Sequence, residues 1–524
     1  MNREKMLARL ESERFDVLVV GGGSTGLGVA VDASSRGYRT ALVEAHDFAK
    51  ATSSRSTKLI HGGVRYLEQL NFSLVMEALR ERGIMCQNAP HLVNHLAFVV
   101  PRYKWWEGPF YGVGMKLYDT LAGKLNIAAS RSLNRDETIA AIPNVQQRDL
   151  IGGIMYHDGQ FDDARMAITL ASTAADQGTA IANYLNVTGL AKSHGFVTGV
   201  EAEDTQSGAK LSIQAKVTVN ATGIFTDALR KLDDPTCESI IEPAQGVHLV
   251  LDRSFGASDN AIMVPHTDDQ RVLFVIPWHG RVIVGTTDTA MDNPLLEPRA
   301  LPNEIDFILK NASRYMKKDP TRRDILSVFA GQRPLVHLGG KSKRTKSISR
   351  SHEVFVSQSG LVTITGGKWT TYRKMAEDTM EHVIQVGGLA PAPCSTEKLC
   401  LRGYMPRDAP DFPTQDHFRV YGSDAVKIQA LAKQTPEWSN KLDDALPYIG
   451  AQVVWAVRQE MAQRLEDVMA RRTRSLLLDA QRSMAAANLA ATIMAKELGR
   501  DQNWVATELD AYRELAMGYM AESV

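Results

Sequence analysis

Gly21, Gly23 and Gly26 stand in the order G-x-G-x-x-G directly after the apolar run 16–20, and Glu44 closes the next apolar run, 18 residues beyond Gly26. That pattern suits a dinucleotide. The first glycine permits a tight turn, the second lets the backbone approach a pyrophosphate, and the third lets the following helix pack closely on the strand. The helix N-terminus offers unpaired N–H groups and the positive end of its dipole to the anion. A carboxylate at the end of the second strand accepts hydrogen bonds from the adenosine ribose hydroxyls, and an acid there disfavours NADP. Glycine spacing alone does not separate FAD from NAD.

Two later strand-to-glycine turns favour FAD. Residues 220–223 (NATG) and 365–372 (TGGKWTTY) again run a strand into glycine far along the chain, so the site is discontinuous and suits a long ligand. In the second turn Gly367, Lys368 and Thr370 open a helix, where N–H groups and the ammonium would stabilise negative charge on a reduced flavin ring. The plainer reading is a helix cap followed by a surface lysine.

These residues require a strand, a helix and a second strand at the start of the fold. Residues 16–20, 27–36 and 40–43 supply them, with Gly37 as the helix stop. Residues 71–96 read as helical and connecting, and 163–177 as a helix. Short runs at 247–251, 272–276 and 282–285 predict an antiparallel sheet in a second domain. The strand pattern returns at 354–356 and 361–365. After a loop marked by Pro391, Pro393, Gly403 and Pro406, residues 415–524 have helical spacing and read as a separate domain. The expected division is an oxidoreductase region over 1–390 and an all-helical domain over 391–524. Within the first, dinucleotide-binding segments at 15–100, 150–230 and 325–385 alternate with capping segments at 100–150 and 235–325.

Bulk properties bound the function. A chain of 524 residues holds two or three domains. Sixty Lys and Arg balance sixty Asp and Glu, which argues against nucleic acid as a partner. Cys86, Cys237, Cys394 and Cys400 fit no zinc spacing and read as reduced thiols, so no metal is expected. No apolar run approaches the roughly 20 residues that span a bilayer, and residues 1–14 lack a signal core. The chain is therefore expected on the cytoplasmic side of any membrane.

Residues 51–67, ATSSRSTKLIHGGVRYL, resemble the signature of FAD-dependent glycerol-3-phosphate dehydrogenases. So do 285–288 (GTTD), 331–335 (GQRPL) and 366–374 (GGKWTTYRK). The likeness runs from about residue 15 to residue 374, and less distinctly through the tail. It implies an α/β fold with a Rossmann-like FAD-binding domain of the glutathione-reductase/D-amino-acid-oxidase type, an antiparallel-sheet substrate-capping domain and a C-terminal all-helical domain. It implies oxidation of sn-glycerol 3-phosphate to dihydroxyacetone phosphate by hydride transfer to non-covalent FAD, with electrons passed to a membrane quinone such as ubiquinone. A homodimer attached peripherally to the inner face of the cell membrane belongs to the same expectation. By this likeness Arg65, Tyr66, His248, Arg333, Arg350 and Lys368 line the substrate site. Ser56, Thr57, Gly62, Thr222, Gly223 and Asp288 touch the flavin.

The implied chemistry can be set against the residues. A phosphate monoester needs fork-shaped donors, for which Arg65, Arg333 and Arg350 are candidates. An alcohol losing hydride also needs a base within about 3 Å of its hydroxyl. His248, at the start of an alternating strand, is the candidate, with Arg333 and Lys368 stabilising the developing alkoxide. Taken alone, without the likeness, His248 reads more readily as a satisfied core histidine. His61 would order the flavin loop, and the basic run Lys341, Lys343, Arg344 and Lys346 reads as a solvated loop.

Residues 101–106 (PRYKWW), 110–111 and 115–118 (MKLY) mix aromatic and basic side chains as membrane-interface segments do. Pro109, Gly112 and Gly114 are expected to break a helix there, and a buried aromatic cluster is the plainer reading. Three other functions fit parts of the sequence: an oxygen-using glycerol-phosphate oxidase, an amine oxidase of similar fold, and a non-catalytic FAD-binding protein. An amino-acid substrate has one carboxylate, for which three arginines would be in excess.

Overall fold

The computed structural model describes residues 1–63, 71–256, 258–269, 271–337 and 352–523. Arg65, Tyr66, Arg350 and the basic run at 341–346 lie outside them.

The strand Arg14–Val20 is the centre of the first sheet. Val17, Leu18 and Val19 are all fully buried, as a strand covered on both faces requires. Thr40–Val43 pairs with it in parallel on one side and Lys210–Asn220 on the other. The sheet order is 352–356, 362–366, 210–220, 14–20, 40–43, 180–182, and the antiparallel hairpin 185–193/196–204 extends it from 210–220. The chain leaves Val20 where the strand order departs to opposite sides, 40–43 on one and 210–220 on the other, which is the switch point where open α/β sheets bind ligands. The helix that follows, Ser24–Ser35, begins three residues earlier than the apolar periodicity indicates, because extended Gly23 already serves as its N-cap.

The second sheet is mainly antiparallel, in the order 289–290, 241–252, 281–285, 273–278, 261–264, 93–102, 152–161, 59–60. Ile325–Val336 pairs along nearly the whole of Ile241–Asp252. Residues 325–336 and three further segments, all falling wholly or mostly in stretches assigned from sequence to dinucleotide binding, lie here instead. Val93–Arg102 pairs with Gly152–Phe161 over ten register positions, and Leu59–Ile60 adds to the edge. Such non-local pairing leaves no mark in either strand's own periodicity.

The 107–122 region also differs from expectation. Glu107–Ala122 is one helix that passes through Pro109, Gly112 and Gly114. Pro109 falls in the first turn, where its missing N–H would have had no intrahelical partner anyway. The Glu107 carboxylate accepts the N–H groups of Tyr103 and Lys104 at 2.8 and 3.0 Å.

Helices Gly450–Glu460, Ala480–Leu498 and Gln502–Met517 dominate the C-terminal region. They do not form a core of their own. Leu477, Ala490 and Met494 pack in one apolar cluster with Val250, Ile276 and Phe329 of the second sheet, and Trp455 joins the core of the first. Buried ion pairs fasten the same junction: Arg165 to Glu460 at 2.7 Å, Arg472 to Asp47 at 2.9 Å and Arg474 to Asp163 at 2.9 Å. Among the described residues no helix is long and apolar enough to cross a membrane.

Candidate active site

The glycine turn is shaped by clearance. Gly21 has φ +112°, and a Cβ there would sit 2.5 Å from the Ala221 carbonyl oxygen. A Cβ on Gly26 would lie 1.9 Å from the Gly21 oxygen, so helix and strand touch with only hydrogen between them. Glu44 Oε2 accepts the Gly22 N–H at 2.6 Å and Oε1 the His46 N–H at 2.9 Å. Burial raises this acid, and the two backbone donors oppose the shift. Ser53 Oγ accepts the Ser24 N–H at 2.9 Å, and the Trp369 indole donates to the Ser53 carbonyl at 2.9 Å. These contacts bring the loop 51–54 and the turn 366–369 to the mouth of the first helix.

A cavity of about 410 Å³ follows the same line. Its wall includes Gly21, Gly23, Ser24, Glu44, Thr222, Gly223, Pro334, Gly366, Gly367 and Lys368. The size suits a small-molecule cofactor. FAD fits the donor set: Gly21, Gly23 and Ser24 would hold the pyrophosphate, Glu44 the ribose, and the 366–369 turn the ring.

Beyond this wall the second sheet presents one face. In the antiparallel register His248 lies opposite Phe329, Gly246 opposite Gly331, and Ala244 opposite Arg333. Directly opposed residues share a face, so His248, Phe329 and Arg333 project together. The glycines between them make room. A Cβ on Gly246 would meet Arg333 Nη2 at 2.4 Å, one on Gly331 would meet Arg55 Cβ at 2.8 Å, and one on Gly285 would meet His248 Cδ2 at 2.4 Å.

His248 is 2% exposed and stacks on Phe329 with centroids 4.8 Å apart at 13°. Its Nε2 is 3.0 Å from Thr57 Oγ1, while buried Nδ1 has no partner among the described residues. Burial, then the Lys58 and Arg333 cations, hold its pKa well below the ordinary histidine value. Lys58, fully buried, donates to Asp163 at 2.7 Å. Burial together with the Arg474 guanidinium draws its ammonium down to about 7 against the pull of Asp163. Arg333 Nη1 is 3.3 Å from Asp288, which also pairs with Arg271 at 3.0 Å. A neutral base beside a cationic fork can take a proton from a hydroxyl on an anionic substrate.

Comparison with known proteins agrees with this geometry. The family model described as FAD dependent oxidoreductase matches residues 16–373, and the C-terminal domain of alpha-glycerophosphate oxidase matches 362–504. The mitochondrial glycerol-3-phosphate dehydrogenase of Macaca fascicularis is 39% identical, over 100% of this chain and 76% of its own length. That of Schizosaccharomyces pombe is 38% identical over 95% of this chain and 87% of its own. The chain belongs to the FAD-dependent glycerol-3-phosphate dehydrogenase family. FAD is therefore its cofactor. The glycerol-3-phosphate dehydrogenase of Bacillus halodurans, solved with FAD, superposes with TM-score 0.81 at 30% identity, covering 99% of this chain and 97% of that one.

In this glycerol-3-phosphate dehydrogenase fold the residues singled out from sequence fall in three places. Gly21, Gly23, Glu44, Thr222, Gly223, Gly367 and Lys368 line the cavity, with Gly26 packed beneath Gly21 and Thr370 buried just past Lys368. His248, Thr57 and Arg333 gather at the sheet face, with Asp288 held between two arginines. Ser56 bonds Asp163 through both its N–H and its hydroxyl, and the Gly62 N–H donates to Tyr118 Oη at 2.8 Å. Sequence reasoning passed over Lys58, Asp163, Phe329 and Arg474. One signal was available: Arg471, Arg472 and Arg474 stand between the apolar runs 468–470 and 476–478, and charges in such a setting need buried partners.

Proposed function

We propose that the chain oxidises sn-glycerol 3-phosphate to dihydroxyacetone phosphate and passes the electrons to a quinone in a membrane on which it rests. The observation that carries the first part is the unpartnered, buried Nδ1 of a neutral His248 on the sheet face shared with Arg333. When bound, FAD supplies the acceptor for the hydride of the alcohol carbon.

His248 takes the hydroxyl proton at Nδ1. That atom has a lone pair when Nε2–H donates to Thr57 Oγ1, so Thr57 sets the tautomer. Burial and the two cations keep the ring unprotonated at neutral pH, ready to act as a base. The Arg333 guanidinium brings positive charge to the phosphate or the developing alkoxide, and Asp288 holds it in place. Lys368 adds positive charge on the cavity wall. The identity to dehydrogenases over the full chain supports the choice of substrate.

Support for the membrane face comes from the helices Phe72–Asn88 and Glu107–Ala122, which pack on one another. Trp105 is 81% and Met76 53% exposed, Phe72, Trp106 and Leu117 are also exposed, and the Lys104 ammonium lies 5.7 Å from the Trp106 ring. Exposed aromatics with adjacent cations suit an anionic lipid interface. A pair of copies is kept as the working assembly, to be checked by sedimentation.

Anaerobic mixing with sn-glycerol 3-phosphate should bleach the flavin, and a soluble quinone should restore its colour faster than air does. No bleaching would remove the substrate assignment; faster recovery in air would point to an oxidase. Arg333→Ala should abolish bleaching at ordinary substrate levels. Changing Trp105 and Trp106 to Ser should release the protein from vesicles containing anionic lipid, and unchanged sedimentation with vesicles would rule out this face.

A further inference from the structure

We propose that Arg474, in the helical region, is a positioning residue for the hydride-transfer site, acting through Asp163 on residues 54–58 and so on Thr57 and His248. The proposal rests on the base role of His248 given above and assigns work to a part of the chain that role leaves unused.

Arg474 is 1% exposed. Its Nη2 donates to Asp163 Oδ1 at 2.9 Å and to the Ser54 carbonyl at 3.1 Å, and its Nη1 to the Ala470 carbonyl at 2.9 Å. The other Asp163 oxygen accepts the Ser56 N–H at 2.9 Å, the Ser56 hydroxyl at 2.7 Å and the Lys58 ammonium at 2.7 Å. Lys58 also donates to the Ser54 carbonyl, at 2.8 Å. One carboxylate and one carbonyl therefore hold both sides of Thr57, whose hydroxyl meets the His248 ring at 3.0 Å. A second route reaches the same ring: the Lys58 ammonium lies 5.0 Å from the centroid of Phe329, on which His248 stacks.

The backbone supports a positioning role. Lys58 and Arg474 both have positive φ, 64° and 63°. Side-chain-bearing residues keep that conformation only where their surroundings over-determine it. Here two of them converge on one carboxylate beside the base. Fastening the helical region does not require this, since Asp47 with Arg471 and Arg472, and Glu460 with Arg165, already join it to the first sheet. Neither of those pairs ends on residues 54–58. Arginine suits the task because its Nη2 holds Ser54 and Asp163 while its Nη1 reaches the Ala470 carbonyl, a span over two nitrogens that a lysine ammonium lacks.

The test is rapid anaerobic mixing of FAD-loaded protein with sn-glycerol 3-phosphate, using the parent, Arg474→Met, Thr57→Val, their combination, and Arg474→Lys. A misplaced catalytic group costs rate rather than cofactor, so Arg474→Met should keep its flavin absorbance while the limiting rate of flavin reduction falls by about tenfold or more. Substrate at half-saturation should change by less than about threefold, and Arg474→Lys should recover part of the rate. The combined variant should be no slower than the slower single one, because both act on the same contact. A normal limiting rate in Arg474→Met, or two effects that multiply, overturns the proposal. Should Arg474→Met fail to fold, Arg474→Lys carries the test, with a limiting rate lowered by about threefold expected and a normal rate overturning it. A parent that does not bleach removes the base role itself; a bleaching parent beside a normal Arg474→Met removes only this inference.

Discussion

The dinucleotide cradle and the pocket around His248 adjoin through the loop 51–58, yet they are made in opposite ways. The pyrophosphate and ribose end of the cradle is backbone: glycines without Cβ atoms, a helix N-terminus and one acid, within a single strand, turn, helix and strand. The pocket is side chains, brought from residues 57–58, 163, 248, 329–333 and 474. A site built from absent side chains should be intolerant of added bulk. A site built from side-chain contacts should be intolerant of their removal while keeping its cofactor.

The largest effect should come from adding one carbon to the cradle. Gly26→Ala places a Cβ 1.9 Å from the Gly21 oxygen, with backbone on both sides and no flexible group to give way. The purified protein should lack flavin absorbance, and a yellow Gly26→Ala would break the contrast at its root. The mirror experiment is His248→Ala, which removes a side chain from the pocket. It should keep the flavin and slow its reduction by about 10²–10⁴-fold, the usual worth of a positioned base. In the parent, the base is unprotonated above its pKa, which burial, Lys58 and Arg333 hold well below the ordinary value of 6.5. Flavin reduction should therefore keep its rate down through pH 6.5 and fall only in more acid solution. A decline beginning above pH 7 would show that some other group is the base.

The same contrast explains what could be read in the sequence. Gly21 to Glu44 is legible because each glycine's job depends on neighbours a few residues away. His248 and Arg333 could be named from motif likeness, but not their shared face, which depends on the pairing of 325–336 with 241–252. The strand 325–336 itself carries Gly331 and Pro334, residues that argue against a strand when read locally. Asp163 and Arg474 lie 311 positions apart, and nothing short of the fold joins them. Pro109 misled for the opposite reason: a local rule was applied without knowing that the helix begins at Glu107. The C-terminal helical domain was legible from its complete periodicity, but not the closing of its apolar faces on both sheets.

A smaller effect should follow from acid, and it falls on the pocket side. Glu297 receives Arg55 at 2.7 Å, Lys50 at 2.9 Å and the Tyr519 hydroxyl at 2.6 Å, so it ties the loop 50–55 to the end of the chain. Burial works to raise its carboxyl, but Arg55 and Lys50 more than offset this and hold it at about 2. A depressed carboxyl adds stability that is fully present above the unfolded value of 4.5 and is lost as pH falls through the folded one. Denaturant titrations should therefore show roughly 2–3 kcal/mol of this contribution disappearing between pH 4.5 and 2. Glu297→Gln should lower stability at pH 7 and flatten that part of the acid dependence. An unchanged slope in the variant would mean the loop is not held through this carboxylate.

Glu44→Gln should have the smallest effect, and it is the sharpest probe of the contrast because Glu44 is the cradle's one working side chain. Its two oxygens accept the Gly22 and His46 N–H groups, and the residue lines the cavity. Glutamine keeps the length and one accepting oxygen. Its amide nitrogen faces one of the two backbone donors, which then loses its acceptor at a cost of about 1 kcal/mol. The ribose can still bond the amide. FAD affinity, measured by flavin release on dilution, should thus weaken by about five- to tenfold, since 1.4 kcal/mol corresponds to tenfold. The glycine turn and the helix N-terminus, which make the pyrophosphate contacts, are untouched by the change. Loss of flavin from Glu44→Gln as complete as from Gly26→Ala would mean that the cradle, like the pocket, depends on what its side chains supply.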